Sequence, residues 1–585
     1  MSDYALNTED TLQPTSPDRQ TLGELWMLIA GEKRALSLAV VALLFNTASG
    51  LLAPVLVAHM IDESIVQKNL PELLQYAGLL LGIYAVGFVA NYQQVIQMGT
   101  VGQNVLFDLR NRVFNQLQSL PLAFFQANKT GDLISRINND TTNLSGFFSE
   151  TLVRLLGSFV LMGGSALFML FLHWELGLVA LAPALVLWLF TALLSPWVRR
   201  QNARNLVQTG ALSAQIQESL ENFKVIVAFE RRDYFRQRFE EANGRNYEAA
   251  RRAGIANQVF APIYGLMSQL AQLGVLAYGI YLMTQQQLTV GLLVAYFTYV
   301  SRFYDPLRQV ALMWSSFQLS MASWERIREL LHLRSDLPLL SESDCQQGNT
   351  NTVMCFEGVD FAYAQINTSQ SHKVLEDVSF CLEKGKTYAF VGPTGGGKST
   401  TANLMTRLYD PTRGRVLFQG KDMRCVSAQE RAQRIGFILQ EPFLFSGSLR
   451  DNLSYGKPAD YPLESALEKM ELSPLLAGFD QGLDTSVENL SLGQKQLIAF
   501  MRTVIQSPDL LILDEATANI DTATESLLEQ VLAALPADTT RVVIAHRLNT
   551  IENADSIFFV NGGKIQQAGD FEAAMNLLLT QSRTS

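Results

Sequence analysis

Between residues 35 and 330 the chain alternates long stretches free of Asp, Glu, Lys and Arg with polar connections. Ala35–Ile61 and Leu73–Phe107 each exceed the roughly 20 residues that an α-helix needs to cross a bilayer. Leu155–Leu172 and Leu176–Val198 form a pair split only by His173-Trp174-Glu175. Gly254–Ser301 is long enough for two more spans, with Thr284-Gln285-Gln286-Gln287 as the turn between them. The pattern predicts six membrane helices. Ahead of them, Leu22, Leu25, Trp26 and Ile29 recur at helical spacing within Thr21–Arg34. That segment reads as an interfacial helix or as the first turn of the first span.

The connections predict orientation. Arg110, Arg112, Lys129 and Arg136 follow the second span, and Arg199, Arg200, Arg204, Lys224, Arg231, Arg232, Arg236 and Arg238 follow the fourth. The opposite connections are short and carry only Lys68. Basic loops stay in the cytosol, so both termini are expected there, and the polar first twenty residues show no cleavable leader. Both basic connections are rich in helix formers and read as membrane helices continuing into water. Their turning points, near 129–143 and 218–230, are amphipathic.

Beyond residue 352 the texture changes to short β-type runs, turns and amphipathic helices, and the polar stretch 333–351 reads as a linker. Thr387–Val391 is an apolar strand that runs into Gly392-Pro393-Thr394-Gly395-Gly396-Gly397-Lys398-Ser399, and a helix follows from Thr400. Strand, G-x-x-x-x-G-K-S loop and helix in that order form a phosphate-binding loop. The glycines let backbone amides approach an anion at a helix N-terminus. Lys398 suits the β- and γ-phosphates, and the Ser399 hydroxyl suits Mg²⁺. Leu510–Leu513 then reads as a buried parallel strand delivering Asp514 to its end, where it would hold Mg²⁺ through water. Glu515 stands next, placed to orient or deprotonate the attacking water.

With Leu490-Ser491-Leu492-Gly493-Gln494 between these two motifs, the chain resembles an ABC exporter half-transporter. The resemblance implies a helical six-span membrane domain (21–332, after a polar tail 1–20) fused to an α/β nucleotide-binding domain (352–585), and an ATPase that drives transport. It implies that Tyr363 stacks on adenine and that Thr394, Gly395, Gly396, Gly397 and Thr400 line the phosphates with Gly392, Lys398 and Ser399. Gln440 matches the residue that contacts Mg²⁺ and the water, Asp521 the D-loop and His546 the γ-phosphate switch. Ser491, Gly493 and Gln494 would complete the ATP site of a partner chain. The two amphipathic turning points resemble coupling helices.

Two departures stand out. The family's signature reads Leu-Ser-Gly-Gly-Gln, so Leu492 replaces a glycine and is expected to limit backbone approach and any positive φ. Only Glu488-Asn489 separate Val487 from Leu490, which resembles a shortened X-loop. Tolerated, the change leaves a homodimer with two working sites. Its confinement to the trans-acting motif favours a heterodimer instead, in which this chain keeps its own hydrolytic site and weakens the one it completes for a second half-transporter.

Composition supports the two-part reading, since 48% apolar and 17% charged residues with a mean hydropathy of +0.11 are unusual for a wholly soluble chain. A net charge of −10 speaks against a nucleic-acid partner. Cys345, Cys355, Cys381 and Cys425 lack C-x-x-C spacing and read as reduced cytosolic thiols. The spans' polar content is mainly amides and aromatics: Asn46, Asn91, Gln93, Gln94, Asn257, Tyr264, Gln269 and Phe297. These suit a hydrophobic or amphipathic substrate, a drug or lipid, or equally helix–helix packing. Arg302 could attract an anionic headgroup, mark the end of the span or pair with Asp305. A lipid flippase, a peptide exporter, an importer on the exporter fold and a non-transporting ATP switch remain alternatives. The absence of a protease-like segment before the spans lowers the peptide-processing version, and Glu515 and His546 argue against a pure switch.

Overall fold

A computed structural model describes residues 4, 6, 19–65, 68–335, 337, 339–340, 345, 351–363, 373–514, 522–544 and 554–569. The chain forms two compact units. One comprises Met1–Leu6, Gln118–Thr130 and Leu333–Ser585, the other Asn7–Leu117 and Gly131–His332.

The second unit is helical. α1 (Arg19–Ile29) precedes α2 (Lys33–His59) and α3 (Leu70–Ser119). α4 (Leu122–Ala127) belongs to the other unit; α5 (Thr130–Ser135), α6 (Thr141–Gly146) and α7 (Leu152–Leu172) follow through wide π-type turns. Then come α8 (Trp174–Glu221), α9 (Phe223–Ala228), α10 (Arg232–Gln258), α11 (Phe260–Thr284) and α12 (Val290–His332). Five continuous stretches among the described residues are long and apolar enough to cross a membrane: Gly23–Ile65, Leu70–Ser119, Thr130–Leu172, Trp174–Glu221 and Arg232–Thr284. α12 is a further long helix.

Phe171 is 91% exposed and Phe88 72%, a surface that only lipid solvates at low cost. Trp26 on α1 is exposed while Leu25 and Ile29 are buried, the division an interfacial helix needs. His173 breaks the chain between α7 and α8 with extended backbone, and its ring accepts from the Leu176 amide. A Cβ at Gly177 would strike the Met169 carbonyl, so this tight hairpin needs a glycine. Two of the amides and aromatics considered for substrate contact join helix to helix instead. Asn257 and Asn202 exchange bonds at 3.1 and 3.0 Å, and the Tyr264 hydroxyl lies 3.4 Å from that of Thr191.

Where the α5–α6 segment meets α12 lies a buried ionic cluster. Arg136, fully buried, pairs with Asp132 (3.0 Å) and Glu329 (2.9 Å), and Arg326 pairs with Asp132 and with Asp140 (3.3 Å). Arg136 and Asp140 are the buried members of this cluster, and each is paired with partly exposed partners.

The first unit holds two sheets. β1 (Thr352–Phe361), β2 (Leu375–Glu383), β4 (Arg413–Phe418) and β5 (Lys421–Asp422) form an antiparallel sheet ordered β2-β1-β4-β5. β3 (Thr387–Val391), β6 (Ile435–Ile438), β7 (Leu510–Asp514), β8 (Thr540–Ile544), β9 (Ser556–Asn561) and β10 (Lys564–Gly569) form a sheet ordered β10-β9-β3-β8-β7-β6. All its pairs are parallel except β9–β10. α13 (Lys398–Met405) packs in the core between the sheets, beside Phe356, Phe390 and Phe418. A second core gathers α15 (Leu449–Leu453), α16 (Leu463–Lys469), α17 (Leu492–Val504) and α18 (Thr522–Ala533); α14 (Ala428–Arg434) precedes β6.

Two results depart from the sequence reading. First, the cysteines are paired, Cys355 with Cys381 and Cys345 with Cys425. The antiparallel register sets Cys355 directly opposite Cys381 on β1 and β2, a neighbourhood that linear spacing cannot reveal. Second, the turning point near 129–143 divides: Lys129 and Thr130 fall in the first unit and Gly131 onward in the second. Within the first unit, Leu122 and Ala123 of α4 pack on the core of the sheets, and the Tyr409 hydroxyl donates to Gln126 Oε1 at 2.5 Å. Asn128 Oδ1 accepts from the Leu6 amide, and Asn128 Nδ2 donates to the Tyr4 carbonyl.

Candidate functional site

β3 feeds the loop Gly392–Ser399 directly into α13. Gly392, Gly395 and Gly397 all have positive φ (150°, 80° and 113°), a region closed to most side chains. A Cβ on Gly392 or Gly396 would also run into the Val560 carbonyl at the end of β9. This backing wall carries no motif and could not be found from sequence. Gly397 is the N-cap of α13 and no side chain caps the helix. Lys398 Nζ donates to the Gly392 and Pro393 carbonyls at 2.9 and 3.0 Å, so its cation arches over the loop. The result is a ring of backbone facing an uncapped helix N-terminus, where the dipole favours an anion.

The sheet register brings the other groups to the same edge. Phe390, Ile544 and Asp514 stand level across β3, β8 and β7. Ser399 Oγ therefore lies 3.5 Å from Asp514 Oδ1, from opposite sides of β8. A hydroxyl and a carboxylate here are oxygen donors of the kind a hard divalent cation takes. Thr400 sits one residue further along α13, and its hydroxyl is 3.1 Å from that of Tyr363. The Tyr363 ring stands edge-on to Phe361 and Tyr409, half-buried at the margin of the site. Gln440 is exposed in the turn after β6, the strand beside β7. Thr394 and Gly395 lie in the loop. Glu515, Asp521 and His546 lie outside the described residues.

The signature occupies the start of another helix. Ser491 is the N-cap of α17, its hydroxyl accepting from the Gln494 amide at 3.2 Å while Gln494 Oε1 accepts from the Ser491 amide at 2.9 Å. This is a complete capping box. Leu492 is the first helical residue, 51% exposed, and is not among the residues of positive φ. The expected backbone conflict is therefore absent: leucine adopts an ordinary helical conformation and adds only bulk on an open face. Gly493 differs, because a Cβ there would come 2.9 Å from Thr524 Oγ1 on α18. Of the two adjacent glycine positions in the family's signature, the fold requires only the second. Further along α17, Arg502 donates to the Phe443 carbonyl at 3.0 Å, tying this helix to the loop that begins at Gln440. Burial depresses the Arg502 pKa from its ordinary value.

A membrane-crossing helical unit carried on the same chain as a phosphate-loop ATPase defines an ATP-driven membrane machine. Residues 36–307 match the model of the ABC transporter transmembrane region, and residues 375–518 match that of the ABC transporter. The chain is 30% identical to an uncharacterized ABC transporter ATP-binding protein, YknV, of Bacillus subtilis, over 94% of this chain and 92% of that one. It is 31% identical to a fatty acid ABC transporter ATP-binding/permease protein of Mycobacterium bovis (87% and 79%). With a multidrug resistance ABC transporter ATP-binding and permease protein of Lactococcus lactis it shares 30% identity (84% and 82%). The chain belongs to the ABC transporter family, as an exporter-type half-transporter that hydrolyses ATP.

Proposed function

We propose that this half-transporter exports a hydrophobic or amphipathic compound, a drug or a lipid, across the cell membrane by alternating access. The observation that carries the substrate class is the near absence of charge in the spans: Leu73–Phe107, Leu176–Val198 and Gly254–Ser301 contain no Asp, Glu, Lys or Arg. The names of the relatives, fatty acid and multidrug, point the same way. Both termini and the ATPase unit face the cytosol in this reading, following the excess of Lys and Arg in the long connections.

Within the site, the Gly392–Ser399 amides and Lys398 hold the phosphates, and Tyr363 offers a ring to the adenine. Ser399, Asp514 and Gln440 are the residues that would hold Mg²⁺, which supplies positive charge against the phosphate oxygens when bound. Glu515 orients and deprotonates the attacking water, and His546 steadies the γ-phosphate. Ser491, Gly493, Gln494 and Asp521 face the ATP of a partner chain. Closure of the two nucleotide-binding units over ATP pulls on the regions near 129–143 and 218–230 and turns the cavity outward.

The partner is a different half-transporter. Leu492 stands at the first turn of the helix that the resemblance assigns to the partner's nucleotide, with half its surface open, and would add bulk there. ATPase measured in lipid nanodiscs tests this directly. The chain alone is expected to turn over negligibly and to gain activity with a second half-transporter; brisk turnover and transport by the homodimer would overturn it. In the active assembly, Glu515→Gln should retain ATP binding and lose at least about 100-fold in turnover. Undiminished hydrolysis would remove Glu515 from its assigned role.

A further inference from the structure

α12 carries four polar side chains into the apolar core of the membrane unit, and each ends on a backbone carbonyl of another helix. Tyr296 Oη lies 2.5 Å from the Met169 carbonyl and 2.9 Å from that of His173, where α7 stops. Tyr304 Oη donates to the Ala180 carbonyl at 2.9 Å, in the turn ahead of Pro183. Tyr299 Oη donates to the Leu51 carbonyl at 2.5 Å, and Arg302 Nη1 donates to the Gly50 carbonyl. The last two lie in the turn ahead of Pro54 in α2.

A proline has no N–H, so the carbonyl four residues earlier loses its helical donor, and the ring presses that turn open. For Pro54 that carbonyl is Gly50, and its neighbour in the opened turn is Leu51. Inside hydrocarbon no water replaces the lost bond, so a neighbouring helix has to supply it. α12 supplies both donors from adjacent turns. Gly50 lets this happen, because a Cβ there would collide with the Arg302 guanidinium. Arg302 makes no ion pair among the described residues, and Asp305 on the same helix is exposed. The proline-freed carbonyl is thus the polar group to which this intramembrane cation is tied.

We propose that Tyr299 and Arg302 are positioning residues that complete the turn opened by Pro54, so that the bend of the first span is set by α12. The cytosolic end of α12 is fixed as well, through the pairs of Arg326 and Glu329 with Asp132, Asp140 and Arg136. One helix therefore links the ionic cluster beyond the apolar core to the proline-containing turn of the first span. The inference needs the membrane unit but is independent of which substrate crosses it.

The test is a double-mutant cycle in the full-length chain, with whichever half-transporter it assembles, in nanodiscs of phosphatidylethanolamine and phosphatidylglycerol. Arg302→Gln should lower the apparent unfolding midpoint by roughly 5 °C. Pro54→Ala restores an N–H for Gly50, so adding Arg302→Gln to it should cost only about 1 °C more. ATPase kinetics give a second readout. Turnover should fall severalfold in Arg302→Gln with the KM for ATP within about twofold, and return to the Pro54→Ala value in the double variant. Additive shifts, an unshifted midpoint in Arg302→Gln, or a change confined to KM would each overturn the proposal. If Arg302→Gln does not assemble, the milder Arg302→Lys and Pro54→Ala/Arg302→Lys, which keep the charge but shift the donor, make the same comparison at the same Gly50 carbonyl.

Discussion

Two helices of the nucleotide-binding unit begin in opposite ways, and the difference bears on the proposed division between this chain's own ATP site and the one it would complete for a partner. α13 starts from Gly397, with positive φ and no capping side chain, beneath a loop backed by the Val560 carbonyl and by Leu375. α17 starts from Ser491, with both arms of a capping box closed and a leucine standing outward at its first turn. An uncapped N-terminus keeps its amides available for an anion. A capped one has already satisfied part of that demand internally, and is stable without a ligand. The same fold thus holds an open phosphate loop at α13 and, at the signature, a more self-sufficient helix end.

The largest test of that contrast is Lys398→Ala. It removes the cation that arches over the open helix end, and should weaken ATP binding and turnover by on the order of 100-fold; binding of a fluorescent ATP analogue reads it. Retention of full affinity would mean that the backbone ring alone suffices. Next comes Leu492→Gly, which clears the outward face of α17 without touching this chain's own loop. Homodimeric preparations should gain roughly tenfold in turnover if bulk at that position is what weakens the trans site. No gain would place the defect in the short segment Glu488-Asn489 instead. The smallest is Gln494→Ala, which opens one arm of the capping box. It should lower the melting midpoint of the nucleotide-binding unit by about 2–4 °C, the usual consequence of losing a cap worth about 1 kcal/mol.

Much of the architecture was legible in the order of residues. Charge-free length marked the spans, and the polar run Thr284–Gln287 fell where α11 gives way to α12. The glycine-rich loop announced both its strand and its helix, because few other sequences serve that turn. What stayed hidden depended on contacts between distant positions. Tyr296, Tyr299 and Tyr304 look like ordinary aromatic residues of a span, and nothing local says that each ends on a carbonyl of another helix. The opposition of Cys355 and Cys381 arises from strand register. The fit of Leu492 was obscured differently. A missing glycine suggested a backbone demand, yet the position is simply the first turn of an α-helix.

The length of α3 has a mechanical consequence. Its 50 residues rise about 75 Å, against a hydrocarbon core about 30 Å thick. About 45 Å of one unbroken helix therefore lies outside the bilayer interior, so small changes of tilt in the membrane are multiplied at its far end. A rotation of about 5° about the bilayer centre displaces that end by roughly 4–5 Å, close to a full helical turn. A rigid arm of this length needs no large deformation anywhere along it to turn a subtle movement among the spans into a displacement of several ångströms at its far end.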